Sequence, residues 1–203
     1  MATLTLPKPM LAAAPGPKRW TVPEFHRLWE SGWFEGQKAY LIDGEIITMP
    51  IPGPLQNRGV GKVDYALKRL FGSKFWVRMQ CPLELNLWSD PVSDVAVVEG
   101  TPDENLANPS TALLVVEVSD SSLDIDIDTG DKAMLYAAAG IAEYWVLDLN
   151  NRKLIVHRDP LPVTTATSGF SFQNVSHLDE VDSIAPLALP GLRVDAGDLL
   201  PKL

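Results

Sequence analysis

Cysteine is all but missing from this chain: Cys81 stands alone among 203 residues. That excludes an internal disulfide framework and any zinc site built on several thiolates. Histidine is nearly as scarce, and His26, His157 and His177 show neither metal-ligand spacing nor a companion serine or cysteine motif. No glycine-rich phosphate loop of either common pattern is present, which weighs against a nucleotide-binding enzyme. Long apolar runs are lacking too. The patch Met10 to Ala14 is too short and too broken by proline for a signal peptide or a membrane span. With no basic-then-apolar leader and a single thiol, the expectation is a cytoplasmic protein with no membrane partner.

The most telling absence is one of charge. From Cys81 to Asp131 there are 12 acids and no lysine or arginine, whereas the first 80 residues hold 11 bases against 6 acids. A net charge of −9 argues against a protein that coats nucleic acid nonspecifically, because that work rests on phosphate neutralisation. An acidic block is ordinarily solvated loop surface. Acids inside apolar strands call for another explanation.

At this length, with 46% hydrophobic residues, the chain can bury one core. One domain is expected over residues 19–203, behind a flexible tail at 1–18. Thr21, Pro23 and Glu24 mark a capping box and a short helix carrying Phe25, Leu28 and Trp29, which ends near Gly32. Asp43-Gly44 between Tyr40-Leu41-Ile42 and Glu45 to Met49 predicts a tight hairpin. Val60, Val63, Leu67 and Leu70 predict a second helix. Strands are expected at Phe75 to Gln80, Leu83 to Leu87, Asp94 to Glu99 and Ala112 to Ser119. A loop at Asp120 to Gly130, a helix at Asp131 to Ala139 and a hairpin at Tyr144 to Arg158 follow, and the end of the chain reads as short strands and turns.

Two carboxylates, Asp94 and Glu117, fall in the apolar strands. Burying ionised carboxylates costs several kcal/mol unless a cation or several donors surround them. Adjacent strands can bring such positions side by side, and a shared Mg²⁺ or Mn²⁺, which binds through few protein ligands and keeps its waters, would relieve the repulsion. Lys132 is the first base after Arg78, and the chain leaving Glu117 can return it over the sheet end.

The series Glu117 to Leu123 (Glu-Val-Ser-Asp-Ser-Ser-Leu), Asp128 to Lys132 (Asp-Thr-Gly-Asp-Lys), Leu135-Tyr136 and Ala139 to Asp148 (Ala-Gly-Ile-Ala-Glu-Tyr-Trp-Val-Leu-Asp), following the helix, hairpin and helix described, resembles the Uma-two family. That family belongs to the restriction-endonuclease-like, PD-(D/E)XK nuclease superfamily. The resemblance covers about residues 20–200. It implies an α/β fold with a central mixed sheet flanked by helices and additional β-hairpins, a metal site at Asp94 and Glu117, and a further acid from Glu45. It also implies the superfamily lysine moved onto the following helix as Lys132, DNA as substrate, and a homodimer. This chain has Ser119 where the superfamily pattern has lysine, Ser93 where proline often precedes the aspartate, Gln56 where many relatives have histidine, and extra residues at Asp124 to Ile127.

Phosphate contacts are expected from the basic second helix, at Arg58, Lys62, Lys68 and Arg69. Each site residue also has an ordinary explanation: a strand-start aspartate, an inward glutamate paired to a base, a surface lysine, a solvated hairpin acid. Tyr136, Tyr144 and the tryptophans are expected to serve core or interface packing rather than to stack on bases. The expected function is Mg²⁺-dependent hydrolysis of DNA phosphodiester bonds. Its rivals are a decayed nuclease fold that binds nucleic acid or a protein partner, and glycoside hydrolysis by the carboxylate pair.

Overall fold

The computed structural model describes residues 16–49, 51–105, 107–164 and 169–202; the expected tail lies outside these up to residue 15. The chain opens with α1 (Val22–Glu30), whose Thr21 cap and Glu24 side chain form the reciprocal capping box. β1 (Lys38–Ile42) and β2 (Glu45–Met49) pair through the Asp43-Gly44 turn, with Ile42 opposite Glu45. α2 (Pro54–Phe71) follows.

The main sheet is six-stranded in the order β3-β4-β5-β6-β7-β8. Its strands are β3 (Phe75–Pro82), β4 (Val92–Glu99), β5 (Leu114–Ser119), β6 (Glu143–Asp148), β7 (Lys153–Pro162) and β8 (Phe170–Leu178). All neighbours are antiparallel except β5 and β6. A parallel pair needs a crossover, and α3 (Ser122–Ile127), a π-helical turn (Asp128–Lys132) and α4 (Ala133–Ala138) provide it. The short pair β9 (Ser183–Ile184) and β10 (Val194–Asp195) and the turn α5 (Ala196–Leu199) close the chain.

Alternation along the strands sorts the core into two layers. Val95, Val97, Leu114, Val116 and Val118 pack with Val60, Val63 and Leu67 of α2, while Ala96, Val98, Val115 and Val146 pack with Tyr136 and Ala137 of α4. By the same parity Asp94 and Glu117 belong to the α4 side. Among the described residues no helix is long and apolar enough to cross a membrane.

Three expectations need correction. Leu83 to Leu87 is not a strand: the Asn86 side chain accepts from the Trp88 amide at 2.8 Å, and the Asn86–Ser89 bridge folds the segment onto itself between Pro82 and Pro91. The segment after β5 is not a loop, because Ser121 caps a helix by accepting from the Asp124 amide at 3.1 Å. Asp94 is the third residue of β4 rather than its first. β8, nine residues long, was not foreseen as such.

α2 approaches the sheet at Gly59, where an added Cβ would lie 2.7 Å from Val118 Cγ1 and 3.1 Å from Leu149 Cδ1. Alanine gains up to about 1 kcal/mol of helix propensity there, but overpacking a buried contact costs about 1–3 kcal/mol. Gly59→Ala is therefore expected to lower stability by about 1 kcal/mol in a urea titration; equal or greater stability would show that the helix and β5 can move apart freely.

Candidate functional site

The β4–β5 ladder ends at Val95 opposite Val116, and beyond it side chains replace backbone partners. The Val118 amide donates to Asp94 Oδ2 at 2.9 Å, and the Asp94 amide donates to Glu117 Oε2 at 3.4 Å. Each acid is thus fixed by the neighbouring strand. The crossover brings the remaining groups. Asp128, Lys132 and Tyr136 recur every four residues and share one helical face. Lys132 Nζ lies 3.2 Å from Glu117 Oε2 and 3.0 Å from Asp128 Oδ1, and the Tyr136 hydroxyl donates to Glu117 Oε1 at 2.9 Å. Ser119, at the position where the superfamily pattern has lysine, donates to Asp128 Oδ2 at 2.6 Å. The Tyr144 hydroxyl bonds the Asp128 carbonyl at 2.9 Å, which pins the π-helical turn.

Asp94, Glu117, Asp128 and Lys132 are all buried and line one cavity of about 330 Å³. Burial pushes Glu117 up to about 8; Lys132 opposes the shift, and Asp128 and Asp94 add to it. Asp94 is raised as well, chiefly by burial, against the pull of Lys132 and the Val118 amide. Burial also works against the charge on Lys132, but Glu117 and Asp128 together outweigh it and hold the ammonium above its ordinary value. Lys132 has two carboxylate partners, whereas Glu117 has one ammonium among two further acids. The lysine therefore stays charged while Glu117 tends to take a proton.

Glu143 supplies the contrast. It too is fully buried in a strand, yet Arg158 Nε at 2.9 Å, Trp145 Nε1 at 3.0 Å and the Leu187 amide at 2.7 Å satisfy it from within the protein. The acids around Lys132 outnumber their cation. Hard oxygen donors in charge excess suit Mg²⁺ or Mn²⁺, and Asp94, with Oδ2 committed to Val118, has Oδ1 to offer. Among the described residues no three His, Cys, Asp or Glu side chains form a ready-made cage. The residues thus fit an ion held by two carboxylates and waters, not one enclosed by protein.

Asp94, Glu117 and Lys132 come together as the sequence predicted; Glu45 does not join them. It is exposed at the turn end of the hairpin, whereas the open end, with Lys38, Tyr40 and Met49, lines the cavity. A strand rises about 3.3 Å per residue, which sets Glu45 well away. The basic set on α2 also lies outside the lining, where Gln56 represents that helix. Arg58 donates to the Lys202 carbonyl, Lys68 pairs with Asp64 at 2.8 Å, and Arg69 stacks on Tyr65. Sequence reasoning missed Asp128, though its spacing to Lys132 was visible, and missed Lys38 and Tyr40, which nothing in the sequence marked. Tyr136 packs in the core as expected, yet its hydroxyl also orients Glu117.

A mixed α/β sheet with acids and a lysine gathered where β5 meets its crossover defines a protein of the restriction-endonuclease-like class. The family model described as "Uma2: Putative restriction endonuclease" matches residues 22–197, and the chain belongs to that family. A crystal structure from Anabaena variabilis, described as a "putative nuclease belonging to DUF820", is similar with a TM-score of 0.65 at 16% identity, over 88% of this chain and 96% of that one. The likeness is one of fold. No curated protein matches the chain.

The raised Glu117 has a consequence for stability. Between the ordinary 4.5 and about 8 the folded form binds more protons at Glu117 than the unfolded form, so its contribution falls as pH rises through that window. His157, held down to about 4 by burial, acts oppositely and only below its ordinary 6.5. The melting temperature of metal-free protein is therefore expected to decline from neutral pH towards pH ~8.5, and Glu117→Gln should flatten the decline. An equally steep decline in the variant would remove Glu117 as its source.

Proposed function

We propose that this protein hydrolyses DNA phosphodiester bonds at the cavity, using Mg²⁺ or Mn²⁺ held by Asp94 and Glu117. The observation that carries the reading is that Lys132 lines the cavity together with both acids and lies 3.2 Å from Glu117, although it rides on the crossover rather than on β5. A divalent ion so held would supply charge neutralisation for the phosphodiester and a bound water of lowered pKa.

The chain's own groups do the rest. Lys132, kept protonated by its two carboxylates, is a fixed donor for the attacking water or for a phosphoryl oxygen as negative charge develops. Asp128, anchored by Ser119, sets the direction of the ammonium; Tyr136 sets that of Glu117. Lys38 adds a second cation on the cavity wall. Arg58, Lys62, Lys68 and Arg69 offer contacts to phosphates farther along the polymer. Glu45, exposed and remote, has no part in this scheme.

Ser119 in place of a strand lysine favours one alternative: a fold of this class that binds nucleic acid or a protein partner without chemistry. Glycoside hydrolysis has less support, since its paired carboxyls must face the sugar between them, whereas here Glu117 is engaged by Lys132 and Tyr136 and Asp94 by the Val118 amide.

Two outcomes test the reading. Titration calorimetry should detect Mg²⁺ or Mn²⁺ binding in the low-millimolar range or tighter, with a matching rise in melting temperature, and Glu117→Gln should weaken both. Lys132→Ala should abolish cleavage while DNA affinity stays nearly unchanged, because its work lies in the transition state. Cleavage by that variant at the wild-type rate would sink the role of the lysine. Ion and DNA binding without cleavage in the wild type would favour the binding module.

A further inference from the structure

The cavity lining mixes two kinds of group. Besides the acids and Lys132 it includes Trp29, Met49, Ile51 and Pro52, and Trp29 is 43% exposed and Ile51 75% exposed. Large apolar groups are thus left in water beside a charged centre, and Trp29 lies outside the buried core. Its ring touches Phe34 on one side, with centroids 5.6 Å apart. Trp29 also lines a smaller adjoining cavity of about 270 Å³, together with Phe25, His26 and Asp90; Ala39 and Val92 are common to both cavities.

Asp90 is the second observation. It is 2% exposed, its Oδ2 takes His26 Nε2 at 2.7 Å, and its Oδ1 has no partner among the described residues. A bare buried acceptor is costly and uncommon in a finished fold. An incoming N–H donor would complete it.

We propose that these adjoining cavities form a nucleobase subsite, in which Trp29 stacks on one unpaired base while the attached phosphate lies towards Asp94 and Lys132. Asp90 Oδ1 accepts a hydrogen from the base edge. The placement of the phosphate rests on the function proposed above; the base subsite itself does not. The substrate so described is DNA with an unpaired nucleotide, as in a single strand, an overhang or a frayed end. A base within an intact duplex has its faces stacked and its pairing edge engaged, so it can offer neither to Trp29 and Asp90 without leaving the helix. A cavity of about 330 Å³, at the small end of the ~300–1,000 Å³ typical of ligand pockets, suits one nucleotide rather than a base pair with both its backbones. Stacking on an aromatic ring tolerates any base, so Trp29 selects for the unpaired state. The carboxylate oxygen of Asp90, as an acceptor, selects among base edges.

The test compares the full chain and its variants in binding a short labelled single strand and the matching blunt duplex, with Ca²⁺ in place of Mg²⁺. The wild type is expected to bind the strand about tenfold more tightly than the duplex. Trp29→Leu, which keeps apolar contact with Phe34, should weaken strand binding at least about fivefold and leave duplex binding unchanged. Trp33→Leu, a change at a more exposed tryptophan outside the cavity lining, should alter neither. Asp90→Asn should change the relative affinity for oligo-dC and oligo-dT, and it decides the matter if Trp29→Leu does not fold. Strand affinity unaltered by Trp29→Leu, equal losses on strand and duplex, an Asp90→Asn variant with the wild-type base preference, or no DNA binding at all would each overturn the subsite. A strand preference that depends on Trp29 in a wild type that cleaves nothing with Mg²⁺ or Mn²⁺ would uphold the subsite and retire the nuclease reading. Cleavage with no effect of Trp29→Leu would do the reverse.

Discussion

One ammonium group, Lys132 Nζ, sits inside the protein between Glu117 at 3.2 Å and Asp128 at 3.0 Å, and the rest of the site is arranged around it. Without that cation three carboxylates would crowd one buried volume. With it they still outnumber it, and burial, reinforced by the neighbouring acids, displaces Asp94 and Glu117 upward. Buried ion pairs seldom add stability over well-packed apolar groups, but removing one partner is strongly destabilising. As a stabilising device such a cluster is therefore weak.

The topology explains how the cluster is assembled. Strand parity puts Asp94 and Glu117 on the α4 side of the sheet, and the parallel pair of β5 with β6 obliges the chain to cross over, which it does on that side. The crossover delivers Asp128, Lys132 and Tyr136 on one helical face. The Tyr144 hydroxyl on the Asp128 carbonyl fixes the turn where the helix loosens. Lys132 is thus held in place from the crossover: Ser119 uses its small hydroxyl to hold Asp128, and Asp128 holds Lys132.

Much of this was legible in the sequence, for identifiable reasons. The capping box at Thr21 and Glu24, the Asp-Gly hairpin and the apolar face of α2 are local signals, and all three elements formed. Glu117 was conspicuous because valines flank it, and Asp94 and Lys132 followed from strand spacing and chain direction. What failed was only partly non-local. Leu83 to Leu87 has strand-like residues but is claimed by an Asn86 turn. Glu45 lies on a correctly predicted hairpin, yet which end of that hairpin meets the sheet depends on tertiary docking. The half-exposed Trp29 looks like any core aromatic in sequence, because exposure is decided by neighbours far along the chain.

The proposed chemistry stands or falls on whether the acids around Lys132 form an ion site. Anomalous diffraction from crystals soaked in Mn²⁺ tests this directly. The prediction is an anomalous peak within bonding distance of Asp94 Oδ1 and of Glu117, with Lys132 still held by Asp128. A cavity with no peak at millimolar Mn²⁺, and with Glu117 still bonded to Lys132 and Tyr136 alone, would contradict it.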